Sequence, residues 1–247
     1  MTGYTLEVCV DSLESAMAAV NGGATRLELC ANLVIGGTTP SVFLLREIRK
    51  RSDIPINAII RPRFGDFCYS PAELNIMVGE IECFRHERAN GVVIGALTPD
   101  GGLDEQAMRA MIGAAGGLSV TLHRAFDMCR DPFAALRAAK ALGVATVLTS
   151  GGRNTALDGA PLLKELGALG LVDIMAGGGV NADVITKLRP LTGLTSYHMS
   201  GKAVVDSPMR HRNPHVSMGL PSLSEYQLWR TDEQRVRAAR SALDALA

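Results

Sequence analysis

The amino-acid sequence predicts a single (β/α)8 barrel spanning residues 1–247. Short apolar runs alternate with amphipathic segments eight times without a break, which is typical of parallel strands joined by helices. Eight strands are the number that closes such a sheet, and 247 residues is close to the ~250 that one barrel needs. No change in composition, low-complexity stretch or Ser-rich linker divides the chain, so one domain is predicted.

The predicted elements follow one another at a regular pace. The strands are the short apolar runs at 5–10, 26–30, 56–61, 92–97, 119–124, 146–149, 172–176 and 194–199. The helices carry apolar residues at helical spacing, at 12–21, 41–51, 71–89, 103–115, 132–142, 160–168, 181–188 and 224–246. An open doubly wound sheet is the alternative, but no GxGxxG motif follows the first strand as it would in a dinucleotide-binding fold.

Composition excludes several classes of function. The 25 basic and 25 acidic residues balance, and no basic run offers a surface for nucleic acid or for a membrane. The balance suits a small ligand better. The five cysteines are odd in number and show no CxxC spacing. With no signal peptide and no apolar stretch of ~18 residues, we expect a cytoplasmic protein with reduced thiols.

One face of several predicted strands is polar, although barrel interiors are usually filled by branched apolar residues. Residues two apart on a strand share a face. The polar faces carry Glu7 and Cys9, Glu28 and Cys30, Asn57 and Arg61, Thr121 and His123, and His198 and Ser200. The neighbours of opposite parity, such as Leu6, Val8, Leu27, Leu29, Ala58 and Ile60, are apolar and are expected to pack against the helices.

If the polar face points inward, opposite charges converge at the carboxyl-terminal mouth of the barrel, where such folds carry their sites. The predicted catalytic residues are Glu7, Glu28, Arg61, His123 and His198. Carboxylates and imidazoles suit proton transfer, and Arg61 and Arg63 suit a carboxylate or phosphate. The alternative is an internal network of ion pairs that only fills the barrel.

Glycine-rich turns follow the last three strands. Loops in this position often hold a phosphate through backbone N–H groups, although glycine also simply permits a tight turn. The predicted anion-binding residues are Gly151, Gly177, Gly178, Ser200 and Gly201, together with Arg63 and Arg210.

The segment 203–223 is a long connection in which three prolines argue against a helix. It carries Arg210, His211, Arg212 and His215, a local positive cluster. We expect it either to fold over the mouth beside the glycine turns or to form a dimer contact.

Several of these stretches together resemble the CutC copper-homeostasis family. They are RLELC at 26–30, GGTTPS at 36–41, IRPRFGDFCYS at 60–70, HRAFDMC at 123–129, LTSG at 148–151, IMAGGGV at 174–180 and SPMR at 207–210. The matches run nearly end to end, in order and at the family's spacing. Phe64 stands where many members carry a second glycine.

The resemblance implies a cytosolic (β/α)8 barrel, often a homodimer, that is linked to copper. Cys9 and Cys30 match the family cysteines proposed to hold Cu(I). Thiolates are soft ligands that select Cu(I), and these two residues end adjacent predicted strands ~4.8 Å apart. Met175 offers a further thioether. Cys83 matches no family motif and is interpreted as a packing residue.

Two functions remain open from the residues alone. One is a copper-homeostasis protein that binds Cu(I) through Cys9 and Cys30. The other is an isomerase, epimerase or lyase that acts on a small anionic substrate, such as a phosphorylated one, in the mouth pocket. Free cysteines also often serve as small apolar core residues, which weighs against the first function.

Overall fold

A computed structural model of the chain describes residues 3–219 and 223–246 and confirms the predicted (β/α)8 barrel. The barrel strands are Thr5–Val10 (β1), Arg26–Leu29 (β2), Ile56–Ile59 (β3), Gly91–Ile94 (β4), Ser119–Leu122 (β5), Thr146–Thr149 (β6), Asp173–Ala176 (β7) and Ser196–Met199 (β8). Each strand pairs in parallel with the next, and β8 pairs with β1 to close the barrel. Four of the eight strands, β2 to β5, end earlier than the sequence predicts, because the chain leaves the ladder to form the mouth.

All seven helices predicted between the strands are present. The helices are Leu13–Asn21 (α1), Val42–Arg49 (α2), Pro71–His86 (α3), Glu105–Ala115 (α4), Pro132–Ala141 (α5), Ala160–Ala168 (α6), Ala182–Thr192 (α7) and Glu233–Asp244 (α8). Local chemistry fixes their starts. In α3, the Ser70 side chain accepts from the N–H of Glu73, whose carboxylate accepts from the N–H of Ser70, and Pro71 opens the first turn.

Strand parity divides the core as predicted. Leu6, Val8, Leu27 and Ile60 lie in one large buried cluster with residues of the helices. A second, smaller cluster lies inside the barrel and contains Cys9, Cys30, Ile59 and Val93. The charged and polar residues of the same parity as Cys9 therefore lie on the barrel interior.

The segment after β8 differs from the prediction. Lys202–Asp206 (β9) and Gln227–Thr231 (β10) form an antiparallel pair outside the barrel, with Trp229 opposite Val204. The helix predicted from residue 224 is therefore wrong in its first turns. It begins only at Glu233, where the Asp232 side chain accepts from the N–H groups of Gln234 and Arg235. Pro221, one of the three prolines in the predicted loop, lies outside the described residues.

Among the described residues, no helix is both long and apolar enough to span a bilayer.

Candidate functional site

A cavity of ≈ 430 Å³ opens at the carboxyl-terminal ends of the strands. Four of the five predicted catalytic residues line it, namely Glu28, Arg61, His123 and His198, and so does Cys9. Glu7 does not line the cavity. It is fully buried, and its Oε1 lies 2.9 Å from His198 Nδ1. Glu7 thus lies behind the cavity wall and contacts the lining residue His198.

Three metal-ligand atoms converge at one side of this cavity. Cys9 Sγ, a carboxylate oxygen of Glu28 and a ring nitrogen of His198 all lie within 4.8 Å of one another. His198 Nε2 is 3.5 Å from Glu28 Oε2. The register explains the convergence, because Cys9 lies beside Glu28 across β1 and β2, and His198 lies beside Glu7 across β8 and β1.

Glu7 fixes the orientation of His198. Its carboxylate also pairs with the Arg26 guanidinium and accepts from Asn57 Nδ2 at 3.5 Å. The His198 ring is thereby held through Nδ1, which leaves Nε2 to face Glu28. Arg26 was missed by the sequence analysis, although it has the same parity as Glu28 and Cys30 and was visible on that basis.

The protonation of this cluster is set by opposing effects. Burial by itself would lower the pKa of His198, but Cys9, Glu28 and the bond to Glu7 raise it well above its usual range. Burial by itself would raise the pKa of Glu7, but the bond to His198 and the charge of Arg26 lower it. Burial and the charge of Glu7 together raise the pKa of Glu28 above its usual range, against the effect of His198. Glu7 therefore carries the negative charge that pairs with Arg26 and His198.

Cys30 occupies a different position from the one that a shared Cys9–Cys30 site requires. It is not among the three convergent ligand atoms, and its Sγ lies 3.5 Å from Glu28 Oε2. Burial, followed by the charge of Glu28, raises the pKa of the Cys30 thiol well above its usual range. Cys30 is thus a thiol that donates to Glu28. Met175, also considered from the sequence, is buried and lies 3.5 Å from an Arg26 nitrogen.

The other side of the cavity carries a cluster of three side chains, Arg61, Phe67 and His123. The Phe67 ring contacts both other residues: the Arg61 guanidinium carbon is 5.0 Å from its centroid, and the His123 ring, tilted by 47°, has its centroid 5.0 Å away. Arg61 is 7% exposed and His123 is 4% exposed. Arg61 donates to the backbone carbonyls of Gly37 at 3.1 Å and Gly65 at 3.0 Å, so it joins the loops that follow β2 and β3.

Arg63, in contrast, is used within its own loop. It pairs with Glu73 and with Asp66, and its guanidinium lies over the Tyr69 ring. It does not line the mouth cavity. Because both of its charge partners are carboxylates of the chain, the charge of Arg63 is already compensated. Arg63 therefore stabilises the loop after β3 and does not offer a free charge to a ligand.

The glycine turn after β6 already holds a carboxylate of the chain. Asp127 accepts from the N–H groups of Ser150 at 3.1 Å and Gly152 at 3.0 Å, while the N–H of Gly151 donates to Thr149 Oγ1. A Cβ on Gly151 would lie 2.3 Å from the Gly159 carbonyl oxygen. Glycine is needed here for close backbone packing, and Asp127 occupies the position predicted for an external anion. This role of Asp127 was not predictable from the sequence, because only the fold brings Asp127 near the turn.

The turns after β7 and β8 contribute unevenly to the cavity. Gly178 and Ser200 line it. Gly177 is buried, and a Cβ on it would lie 2.5 Å from the Leu148 side chain. Gly201 lines a neighbouring cavity of ≈ 400 Å³. Lys202, which sequence reasoning did not select, lines both cavities.

The positive cluster of the long segment lies on the surface. Arg210, His211 and His215 are exposed, and Arg212 pairs with Asp206. Arg210 lines none of the described cavities and has no ion-pair partner within 3–219 and 223–246. The predicted closure of the mouth by Arg210 is not seen.

Comparison with known proteins decides the family. The profile of the CutC family matches residues 4–203. The chain belongs to the CutC family. It is 44% identical over 238 residues to the human copper homeostasis protein cutC homolog, covering 95% of this chain and 87% of that protein. A CutC family protein of Pasteurella multocida is 43% identical over 241 residues, covering 97% of this chain and 98% of the relative.

Solved structures agree with this assignment. A crystal structure of the copper homeostasis protein CutC from Streptococcus agalactiae superposes with a TM-score of 0.76 at 30% identity, covering 80% of this chain and 98% of that chain. Thiamine phosphate pyrophosphorylase from Pyrococcus furiosus superposes with a TM-score of 0.59 at 14% identity, covering 99% and 98% of the two chains. This second likeness is one of fold alone.

Proposed function

We propose that this CutC family member takes part in copper homeostasis by binding a copper ion at the mouth of its barrel. The names of the human and streptococcal relatives support the link to copper. The observation that carries the proposal is the convergence of Cys9, Glu28 and His198 ligand atoms within 4.8 Å of one another.

The chemistry of the three donors fits a copper ion. A thiolate and an imidazole are ligands that Cu(I) accepts readily, and the carboxylate of Glu28 adds an oxygen donor. All three side chains line a cavity of ≈ 430 Å³, so an ion would reach them from the barrel mouth. In this proposal copper is the cargo of the protein.

The contacts around His198 support the same interpretation. A histidine that binds a metal commonly holds its second ring nitrogen against a carboxylate, which fixes the ring and strengthens the ligand. Here Glu7 Oε1 lies 2.9 Å from His198 Nδ1, and Arg26 and Asn57 in turn hold Glu7. Glu7 therefore acts in this proposal as the positioning residue for His198.

The predicted Cys9 and Cys30 pair is replaced in this proposal by Cys9, Glu28 and His198. Cys30 would act through Glu28, since its thiol lies 3.5 Å from Glu28 Oε2. The predicted cytoplasmic location belongs to the proposal too, and the five free cysteines are in keeping with a reducing compartment. The predicted homodimer rests on the family resemblance alone.

The test is competition for Cu(I) between the reduced protein and a chromophoric chelator under anaerobic conditions. We expect Cys9→Ser and His198→Gln each to weaken Cu(I) binding by about 100-fold or more, because each removes a ligand. We expect Cys30→Ser to weaken it by only about tenfold, at the low end of what losing a contact to a metal ligand costs, because that thiol does not itself bind the ion.

Cys83→Ser is the matched control, because Cys83 lies on α3, outside the cavity. Cys83 was interpreted from the sequence as a packing residue, but it is exposed. The Cys83→Ser variant should bind Cu(I) like the wild type. Equal retention by the wild type and Cys9→Ser would reject the site. A loss in Cys30→Ser as large as that in Cys9→Ser would restore the two-cysteine site instead.

A further inference from the structure

Buried polar atoms without partners are concentrated beside the cavity wall opposite the proposed metal ligands. Among the described residues, Arg61 Nε, His123 Nε2 and the Tyr69 hydroxyl are buried and have no hydrogen-bond partner in the chain. Leaving such a donor buried and unpaired is unfavourable. Tyr69 does not line the cavity and its hydroxyl interacts with Arg61, so the two lining residues, Arg61 and His123, are the ones that indicate a missing group that accepts hydrogen bonds.

All three groups are donors in their expected protonation states. His123 Nδ1 accepts from the Ala125 N–H at 3.2 Å, so the proton of the neutral ring is on Nε2. Burial, followed by the charge of Arg61, lowers the pKa of His123 to about 3, which keeps the ring neutral. Burial raises the pKa of Tyr69 to about 12 against the charges of Arg61 and Arg63, so its hydroxyl keeps its proton.

The charge of Arg61 is also uncompensated within the chain. The hydrogen bonds that its side chain donates go to backbone carbonyls. None of the ion pairs found within residues 3–219 and 223–246 includes Arg61. A buried guanidinium without a carboxylate is unfavourable unless a ligand supplies the negative charge. Arg63 and Arg124, by comparison, each pair with an aspartate.

We propose that this side of the cavity binds the carboxylate group of a small organic acid, with Arg61 supplying the charge and His123 Nε2–H a hydrogen bond. On this wall Arg61 supplies one positive charge without a carboxylate partner and His123 is a neutral donor, which matches a monoanion, whereas Lys202 lines the cavity from the segment after β8. A phosphate dianion would bring a second negative charge into a cavity whose other wall carries Glu28. Ile59, Phe67 and Leu148 also line the cavity and would contact the apolar part of such an acid.

This inference does not depend on copper, so it is tested on metal-free protein. The probes are acetate and pyruvate, with acetamide as the uncharged counterpart of acetate and inorganic phosphate as the competing anion. Binding is followed by ligand-observed NMR up to millimolar concentration. We expect the carboxylates to bind at least about tenfold more tightly than acetamide or phosphate.

Two substitutions at His123 separate its donor from its structural contact. In His123→Asn the side-chain oxygen still accepts from the Ala125 N–H, but the Nε2–H donor is lost, and we expect carboxylate affinity to fall by about tenfold. In His123→Gln an amide donor occupies the place of Nε2–H and should restore most of the affinity. Arg61→Gln removes the charge and should abolish detectable binding.

Arg210→Ala is the matched arginine control, because Arg210 is exposed and lines none of the described cavities. It should bind the probes like the wild type. The proposal is overturned if neither carboxylate binds the wild type, if phosphate binds as tightly as the carboxylates, or if His123→Asn and His123→Gln bind alike.

Discussion

His123 is a histidine that the fold holds in its neutral form. It lies at the end of β5, is 4% exposed, and packs against Phe67. Burial and the nearby Arg61 lower its pKa to about 3, against about 6.5 in an unfolded chain. Between these two values the unfolded state binds a proton that the folded state does not. The contribution of His123 to stability therefore falls as the pH drops from about 6.5 toward 3.

This difference predicts a measurable effect of His123→Asn on acid stability. At pH 5 the wild type should lose up to about 2 kcal/mol relative to pH 7.5 through this residue, because only its unfolded state is protonated. The variant should lack that loss. Urea unfolding of both proteins at the two pH values measures it, as the change in the free energy of unfolding.

His86→Gln provides the control for this prediction, because His86 is exposed on α3. It should retain the wild-type difference between the two pH values. Equal pH dependence of His123→Asn and the wild type would show that His123 is protonated in the folded protein at pH 5. The burial argument for its neutral form would then be wrong.

Strand parity was enough to predict which side chains face the barrel interior. Parity placed Glu28 and His198 on the barrel interior, because residues two apart on a strand face the same side. It could not give depth along the barrel axis, which depends on the stagger between strands. Glu7 therefore lies beside His198 and Cys30 beside Glu28 without lining the cavity, although both have the predicted parity.

At the level of elements, the β9–β10 pair shows where local patterns mislead. Residues 233–244 do form a helix, and the sequence analysis extended its pattern back to residue 224. The residues before Asp232 instead pair with β9, and Lys202 Nζ lies 3.9 Å from the centre of the Trp229 ring. Pairing between segments more than 20 positions apart leaves no local periodic signal, which is why the sequence analysis missed it.

A single hydrogen bond ties this pair to α1. The N–H of Thr231 donates to Ser15 Oγ at 3.1 Å, and the Ser15 side chain is buried. Ser15→Ala leaves that buried N–H without an acceptor, so we expect the free energy of unfolding to fall by about 1–3 kcal/mol. Trp229 is the only tryptophan of the chain, and its emission should shift to longer wavelength as the pair loosens.

Ser70→Ala is the comparison for Ser15→Ala. It removes the cap of α3 and should lower the free energy of unfolding by about 1 kcal/mol while leaving Trp229 emission unchanged. An unchanged emission in Ser15→Ala as well, together with wild-type stability, would mean that the Thr231 N–H finds another acceptor and that the bond does not hold the pair.

For the whole molecule, the eightfold alternation of strands and helices, with no GxGxxG motif after the first strand, was sufficient to favour the barrel over an open sheet. The contacts that close it were not predictable in the same way. Tyr4, just before β1, donates to Asp244 at the end of α8, and Arg240 lies over the Tyr4 ring. These residues are about 240 positions apart, so only the closed fold brings them together.

The helical layer around the barrel is completed where α8 packs closely against the end of α1. Gly22 has an ordinary helical φ of −74°, but a Cβ at this position would lie 2.6 Å from Val236 Cβ and 2.8 Å from the Glu233 carbonyl oxygen. Since a backbone atom of α8 must then move, we expect Gly22→Ala to lower the free energy of unfolding by about 1–3 kcal/mol. Thermal and urea unfolding measure the change.

Gly79→Ala is the matched substitution, because Gly79 is exposed within α3 and no atom lies within 4 Å of the added Cβ. There alanine should raise the free energy of unfolding by about 0.5–1 kcal/mol, since glycine is unfavourable inside a helix. The opposite signs of the two glycine-to-alanine changes separate helix propensity from interhelical packing. A stabilising Gly22→Ala would mean that α8 sits farther from α1 than this packing requires.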